Sequence, residues 1–265
     1  MGDQEISGAV LTAFLFDLDG TLYSDAGAIP GAVEALAVLR RRGVPFRYVT
    51  NTTRRSRRRL AARLTGYGFE ARADEIITAP QACVEMLRAR RTRRVAAFVA
   101  DETLEDFAEF DLKSAKPEVV VVGDLGDAWD FAKLNRAFLH LLDGAELIAL
   151  QRDRYWLRSD GLALDAGPFV AALEYATGKS AVVCGKPSAE FYRTALASLG
   201  AWAARQPKDV VMVGDDLWGD VEGAQRAGLT AWMVRTGKFR EDVLAQSGIT
   251  PDRIINSVAE VPGLF

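Results

Sequence analysis

The sequence predicts an α/β protein: a parallel sheet with helices packed on its faces. Two observations predict it. Apolar runs of strand length alternate with helical patterns along the whole chain, and that alternation reads as successive βαβ units. Four of the runs also end in polar residues of complementary chemistry, and open α/β sheets bind their ligands outside the carboxyl ends of their strands.

In chain order, the strand-like runs are Ala13–Phe16, Phe46–Val49, Val95–Val99, Val119–Val122, Leu147–Leu150, Ala181–Val183, Val210–Val213 and Thr230–Val234. Between them lie the helical patterns GAVEALAVLRRRG, FAKLNRAFLHLLDG, EFYRTALASLG and GDVEGAQRAG, several closing on the glycine that commonly ends a helix. The first run leads into Asp17 and Asp19, the second into Thr50 and Asn51, the stretch AVVCG into Lys186, and VVMVG into Asp215 and Asp216. No internal repeat or low-complexity linker interrupts the pattern.

Composition narrows the chemistry. The chain has 265 residues, 49% hydrophobic and 26% charged, which is ordinary for a globular protein. No apolar run approaches the ~18 residues of a membrane helix, and MGDQEISGAV lacks the basic start of a secretory signal. The two cysteines, Cys83 and Cys184, have no CxxC spacing, which fits a reducing cytoplasm rather than a disulfide framework or a zinc site. A net charge of −3 argues against general nucleic-acid binding. The contrary signal, RRSRRR at Arg54–Arg59, reads as the first turns of an amphipathic helix, either a solvated face or a patch that draws in an anion. The single histidine, His140, sits within a helical pattern, where a packing or surface role is expected. Acid–base chemistry then falls to carboxylates or lysine.

Asp17, Asp19, Asp215 and Asp220 would meet at one sheet edge. Two carboxylates ~4 Å apart repel by about 4 kcal/mol at an effective dielectric near 20, so such a set needs a cation or a shared proton. An oxygen-only set with open positions suits Mg²⁺. Lys186, Thr50 and Asn51, with backbone donors from Gly20 and Thr21, would form an anion pocket beside it. A carboxylate, Mg²⁺ and an anion pocket together describe phosphoryl transfer, with a carboxylate able to act as nucleophile. Each piece has a plainer reading as well. DLDGT fits a surface turn, Lys186 before Pro187 fits a helix start, and Asp220 fits a charge favoured by a helix dipole. Asp165 and Gly167 fit either a substrate-facing loop or a plain loop before a helix. The five tryptophans fit core or interface positions better than cofactor contacts.

DLDGT at Asp17–Thr21, TN at Thr50–Asn51, GKP at Gly185–Pro187 and GDDLWGD at Gly214–Asp220 resemble, in order, the four motifs of the haloacid dehalogenase (HAD)-like phosphohydrolases. The stretches TNTT, DGLALDAGPFVAALEYATG and RTGKFR are most similar to the HAD-like hydrolase domain-containing protein 2 group, itself related to phospholysine phosphohistidine inorganic pyrophosphate phosphatase, within the NagD-like subfamily IIA. The resemblance implies a doubly wound, Rossmann-like core over residues 1–79 and 184–265, with an inserted α/β cap of the C2 type over 80–183. It implies Asp17 as nucleophile and metal ligand, and Asp19 as general acid and base whose backbone carbonyl binds Mg²⁺. Thr50 and the Asn51 backbone would hold phosphoryl oxygens, and Lys186 would neutralise charge. Asp215 would be a metal ligand, Asp220 would act through water or orient the site, and Asp216 would stand behind them. Some members of that group carry Ser at the position of Asp19; this chain keeps the acidic pair. The implied activity is Mg²⁺-dependent hydrolysis of a small or medium phosphomonoester through an aspartyl-phosphate, with no nucleic-acid or membrane partner and, by analogy, a homodimer. A phosphotransferase or mutase would use the same residues. A phosphoryl-sensing interaction protein is the non-enzymatic alternative, whereas dehalogenase chemistry would not need the metal-binding carboxylates.

Overall fold

The computed structural model describes residues 13–158 and 161–265; the segment MGDQEISGAV lies outside them. Six strands form the main sheet: β1 (Ala13–Asp17), β4 (Phe46–Thr50), β5 (Ile76–Thr78), β12 (Val210–Gly214), β13 (Thr230–Val234) and β14 (Arg253–Ile255). Their order is β14-β13-β12-β1-β4-β5, and every pairing is parallel. From β1 the chain steps outward through β4 and β5, then returns to the other side of β1 and steps outward again through β12, β13 and β14. The direction of winding therefore reverses between β1 and β12, and the crevice at such a switch point is where this kind of sheet binds ligands. The ends of β1 and β12 carry Asp17 and Asp215 to that point.

Helices cover both faces. Phe14 and Phe16 of β1 point to one face, where they pack with Phe46, Tyr48, Val213 and Trp232 beneath α1 (Ala32–Arg41) and α2 (Arg57–Gly66). Leu15 points to the other face, into a core shared with α3 (Ala79–Ala89) and α7 (Ala189–Leu199). The parallel strands are buried on both sides, which is why they read as unbroken apolar runs. Shorter helices complete this layer: α8 (Ala201–Arg205), α9 (Gly223–Arg226) and α10 (Glu241–Ser247); α4 (Asp101–Leu104) belongs instead to a second sheet, in the connection between its first two strands.

A second parallel sheet, in the order β11-β8-β7-β6, is built from β6 (Val95–Phe98), β7 (Val119–Val122), β8 (Glu146–Ala149) and β11 (Val182–Val183). Its crossover helices, α5 (Phe131–Leu142) and α6 (Ala166–Thr177), pack together on one face over Phe98, Val120, Val122 and Leu147. Two antiparallel hairpins stand apart from both sheets: β2 (Tyr23–Ser24) with β3 (Gly27–Ala28), just after Asp19, and β9 (Tyr155–Arg158) with β10 (Gly161–Leu164). Helix α3 begins at Ala79 and packs against α7 and β5 of the main sheet. Its buried residues, Cys83, Val84 and Leu87 among them, share one core with strands of both sheets.

All eight expected strands form, with ends shifted by a residue or so. The strands β5 and β14 were not among the expectations; each has three residues, too few for a periodic signal. Both cysteines are free and buried. No helix among the described residues is long and apolar enough to cross a membrane.

Gly167, at the start of α6, lies where the chain crosses its own backbone: a Cβ there would stand 2.6 Å from the carbonyl oxygens of both Arg152 and Asp153. Backbone cannot swing away as a side chain can. Gly167→Ala is therefore expected to destabilise the fold by about 1–3 kcal/mol, read as a lowered Tm in thermal unfolding. An unchanged Tm would contradict this crossing.

Candidate active site

Asp17 is the last residue of β1, and its carboxylate is buried beneath the floor of a cleft of about 1040 Å³. Lys186 reaches the same point from the loop after β11. Its Nζ lies 2.5 Å from Asp17 Oδ1 and 2.6 Å from Asp220 Oδ1. A lysine that merely preceded a helix would extend into solvent; this one is buried between two carboxylates. Asn51 fixes the backbone that carries it: Lys186 N donates to Asn51 Oδ1 at 2.7 Å, and Asn51 Nδ2 donates to the Lys186 carbonyl at 3.0 Å. Gly185 permits the approach, because a Cβ there would stand 2.6 Å from Asn51 Oδ1.

Asp215 follows β12 and packs into a cradle of two glycines. A Cβ on Gly20 or on Gly237 would come within 2.2 or 2.0 Å of Asp215 Oδ2, and both glycines have positive φ. The same oxygen accepts the backbone N–H of Lys238 at 2.7 Å. Asp220 lies on a π-turn, Leu217–Glu222. It is buried, with one oxygen on Lys186 and the other accepting from the N–H of Asp216 at 3.1 Å. It therefore pairs with a buried lysine in addition to accepting an N–H at the start of that turn. Asp17, Asp215 and Asp220 each offer an oxygen within 4.8 Å of the others. Both Asp220 oxygens already have protein partners, so Asp17 and Asp215 are the freer of the three.

Asp19 opens into the cleft instead of joining this cluster. Its Oδ2 accepts from the Tyr23 hydroxyl at 3.3 Å, and the Arg63 guanidinium stacks over the Tyr23 ring at 4.6 Å. The walls around it remove enough water to raise its carboxyl above the usual range, although Arg63 opposes the shift. Thr50 is buried at the end of β4, where its hydroxyl accepts the N–H of Thr52 at 3.1 Å. The expected donors of Gly20 and Thr21 are taken up within the turn, by Tyr23 O at 2.7 Å and Leu18 O at 3.3 Å. That corrects their assignment to the anion pocket: the tight turn needs these N–H groups for itself.

The second sheet supplies the opposite wall through Asp124, Gln151, Asp153 and Asp165. Asp165 caps α6 through the N–H of Ala166 at 2.7 Å and lines the cleft, where Gln151 donates to it. The arginine run divides. Arg54 and Arg55 line the cleft, while Arg57 and Arg58 pair with Asp106 at 3.5 Å and Glu105 at 3.0 Å. His140 lies on α5 and is not among the lining residues.

The family model for haloacid dehalogenase-like hydrolases matches residues 14–113, and a second, HAD-hydrolase-like model matches residues 183–261. The HAD-like hydrolase domain-containing protein 2 of Bos taurus is 44% identical over 87% of this chain and 86% of its own. The phospholysine phosphohistidine inorganic pyrophosphate phosphatase of Homo sapiens is 38% identical over 95% of this chain and 93% of its own. Among solved structures, a p-nitrophenyl phosphatase from Archaeoglobus fulgidus superposes with a TM-score of 0.88 at 30% identity, covering 96% of this chain and 99% of that one. The chain belongs to the haloacid dehalogenase-like hydrolases. Within that family it is an enzyme of the phosphatase type.

Several residues of this HAD-like phosphatase escaped the sequence reading. Lys238 ties the site together: its N–H holds Asp215, and its ammonium lies 2.7 Å from Asp216 Oδ2. The stretch RTGKFR already contained the signal, since it holds both Gly237 and Lys238. Tyr192 of α7 donates to the Gly219 carbonyl at 2.6 Å and braces the π-turn; nothing in its helical pattern distinguished it from a core residue. Trp218, expected in a core or interface, is instead 53% exposed and lines the cleft.

The electrostatics follow from burial. Removal from water pushes Asp215 up to about 8, with Asp17 and Asp220 adding repulsion. Burial pushes Asp220 up to about 7 against the pull of Lys186. Burial also raises Asp17, and Lys186 opposes it. Burial works against Asp216 as well, but the Lys238 ammonium outweighs it and holds that carboxyl below its usual range. Three buried carboxylates facing one ammonium must keep a proton or take a cation, and an all-oxygen set fits a hard divalent ion.

A pH dependence follows. The folded, metal-free protein binds more protons than the unfolded chain from about pH 4, where free aspartates titrate, up to about pH 8. Its stability should therefore fall as pH rises through that window. A divalent cation held by these carboxylates would compete with those protons, so its stabilising effect should grow with pH. The expected outcome is a larger Mg²⁺-induced rise in Tm at pH 8.5 than at pH 6; an increment independent of pH would refute the coupling.

Proposed function

We propose that the protein is a Mg²⁺-dependent phosphatase that hydrolyses a small or medium phosphomonoester through an aspartyl-phosphate on Asp17. The observation that carries this reading is the Lys186–Asp17 pair at 2.5 Å on the floor of the cleft, with Asp19 two residues along and open to the same space. The roles are as follows. A carboxylate oxygen of Asp17 attacks phosphorus. Asp19 gives its proton to the departing alkoxide oxygen, and its raised carboxyl favours the protonated form that an acid needs. In the second step Asp19, now a carboxylate, takes a proton from the water that attacks the acyl-phosphate, and Asp17 is regenerated. Lys186 offsets negative charge on Asp17 and the phosphoryl group. The Thr50 hydroxyl and the Asn51 backbone hold phosphoryl oxygens.

Asp17, Asp215 and the Asp19 backbone carbonyl would hold the Mg²⁺, with Asp220 behind them. When bound, the ion would supply charge neutralisation for the phosphoryl oxygens. The wall from the second sheet would close over the site and exclude bulk water from the acyl-phosphate. The two free cysteines are consistent with a reducing, cytoplasmic setting. A cleft of about 1040 Å³ accommodates far more than a phosphate, which suits a small phosphorylated molecule as substrate.

The test is phosphate release from a panel of phosphomonoesters, including 4-nitrophenyl phosphate, together with pyrophosphate, in Mg²⁺ and in chelator. Release should require Mg²⁺ and fall by at least about a thousandfold in Asp17→Asn. Asp19→Asn should slow both chemical steps by about 10²–10⁴-fold. Undiminished turnover in Asp17→Asn would overturn the mechanism. Transfer of phosphate to an added alcohol in preference to water would indicate a phosphotransferase.

A further inference from the structure

Trp218 places a large aromatic side chain on the lining of the cleft. A single exposed aromatic on an outer surface would call for no function. This one differs in place, in support and in what it lacks. Its place is the π-turn between Asp216 and Asp220, immediately beside the carboxylate cluster. Its support is rigid. The N–H groups of Trp218 and Gly219 donate to Asp216 Oδ1 at 3.1 and 2.8 Å, and the Gly219 carbonyl is held by the Tyr192 hydroxyl at 2.6 Å. What it lacks is packing. Trp129 stacks on Phe98 and Phe169, Trp232 meets Phe14 and Arg253, and Trp202 packs against the core. The Trp218 side chain, by contrast, is 53% exposed.

We propose that Trp218 is a specificity-determining residue that stacks on a flat aromatic ring in the leaving group, so that the preferred substrates are phosphomonoesters of ring-bearing alcohols. This rests on the phosphatase reading above. A phosphoryl group seated at Asp17 and Lys186 leaves most of the cleft for the rest of the substrate. The remaining wall is largely polar or charged, apart from Leu60, which is buried, and Pro187. The indole therefore offers a flat apolar group a surface to contact. Aromatic faces attract each other beyond simple area burial, and a ring held on a fixed turn loses little freedom on binding.

The test compares benzyl phosphate with cyclohexylmethyl phosphate, whose alcohols are similar in size and acidity but differ in flatness. In the wild type, kcat/KM should favour the benzyl ester, with the difference carried by KM. Trp218→Ala should reduce that preference by about fivefold to tenfold, and Trp218→Phe should retain most of it. A ratio unchanged in Trp218→Ala would overturn the proposal. A second measurement does not depend on turnover. Benzylphosphonate, added to the Mg²⁺-loaded protein, should quench tryptophan emission saturably in the wild type and much less in Trp218→Phe; equal quenching would overturn the stacking. If neither ester is hydrolysed by the wild type, the quenching experiment still decides whether Trp218 meets a ring, and the phosphate-release panel decides the phosphatase reading separately.

Discussion

Lys186 is the residue on which the rest of the site depends. Its ammonium is buried between Asp17 and Asp220, at the point where the winding of the main sheet reverses. Removing an ion from water costs several kcal/mol, about that much for each group, and is offset only where geometry and hydrogen bonds are good. The surroundings supply both. Asn51 holds the lysine backbone through two hydrogen bonds, and Gly185 keeps that approach clear. The end of β4 is thereby joined to the loop after β11, and two distant parts of the chain converge on one ammonium.

The other side of the cluster is shaped by what is missing. Gly20 and Gly237 leave space that a Cβ on either would take from the Asp215 carboxylate. Gly214 does the same for Asp220, where a Cβ would stand 2.1 Å from Oδ2. Lys238 then acts from outside, holding Asp215 through its N–H and Asp216 through its ammonium. Asp216 passes that order to the π-turn by accepting from Trp218 and Gly219. Lys186 and Lys238 hold the carboxylates from two sides, while Asp17 and Asp215 both line the cleft, where a cation can reach them.

The second sheet is tied to this floor at the TNTT loop. Thr53 receives the Asp124 N–H on its hydroxyl at 3.1 Å, while its carbonyl accepts from the Thr103 hydroxyl at 2.7 Å. Arg54, Arg57 and Arg58 add ion pairs to Asp124, Asp106 and Glu105. The loop that presents Thr50 and Asn51 on one side therefore holds the opposite wall on the other. A basic run that resembles a solvated helix face is in large part a seam between two layers, with Arg55 facing the cleft.

The amino-acid sequence makes the alternation of strands and helices legible, because strands buried on both faces must be apolar throughout and stand out at any register. It also determined the carboxylates, the lysine and the threonine–asparagine pair, because strand ends carrying charge are costly unless something binds there. Short edge strands such as β5 and β14 left no such mark; their pairing comes from the neighbouring strand and not from their own three residues. Tertiary structure alone decided how the charges are divided. It placed Asp19 in the open cleft while Asp220 was buried, and it gave the Asn51 side chain to the Lys186 backbone. It brought Lys238 to Asp215 from a distant turn and turned Trp218 toward the cleft. Those outcomes depend on contacts between segments far apart in the chain, and the local sequence around each residue carries no record of which partner will arrive.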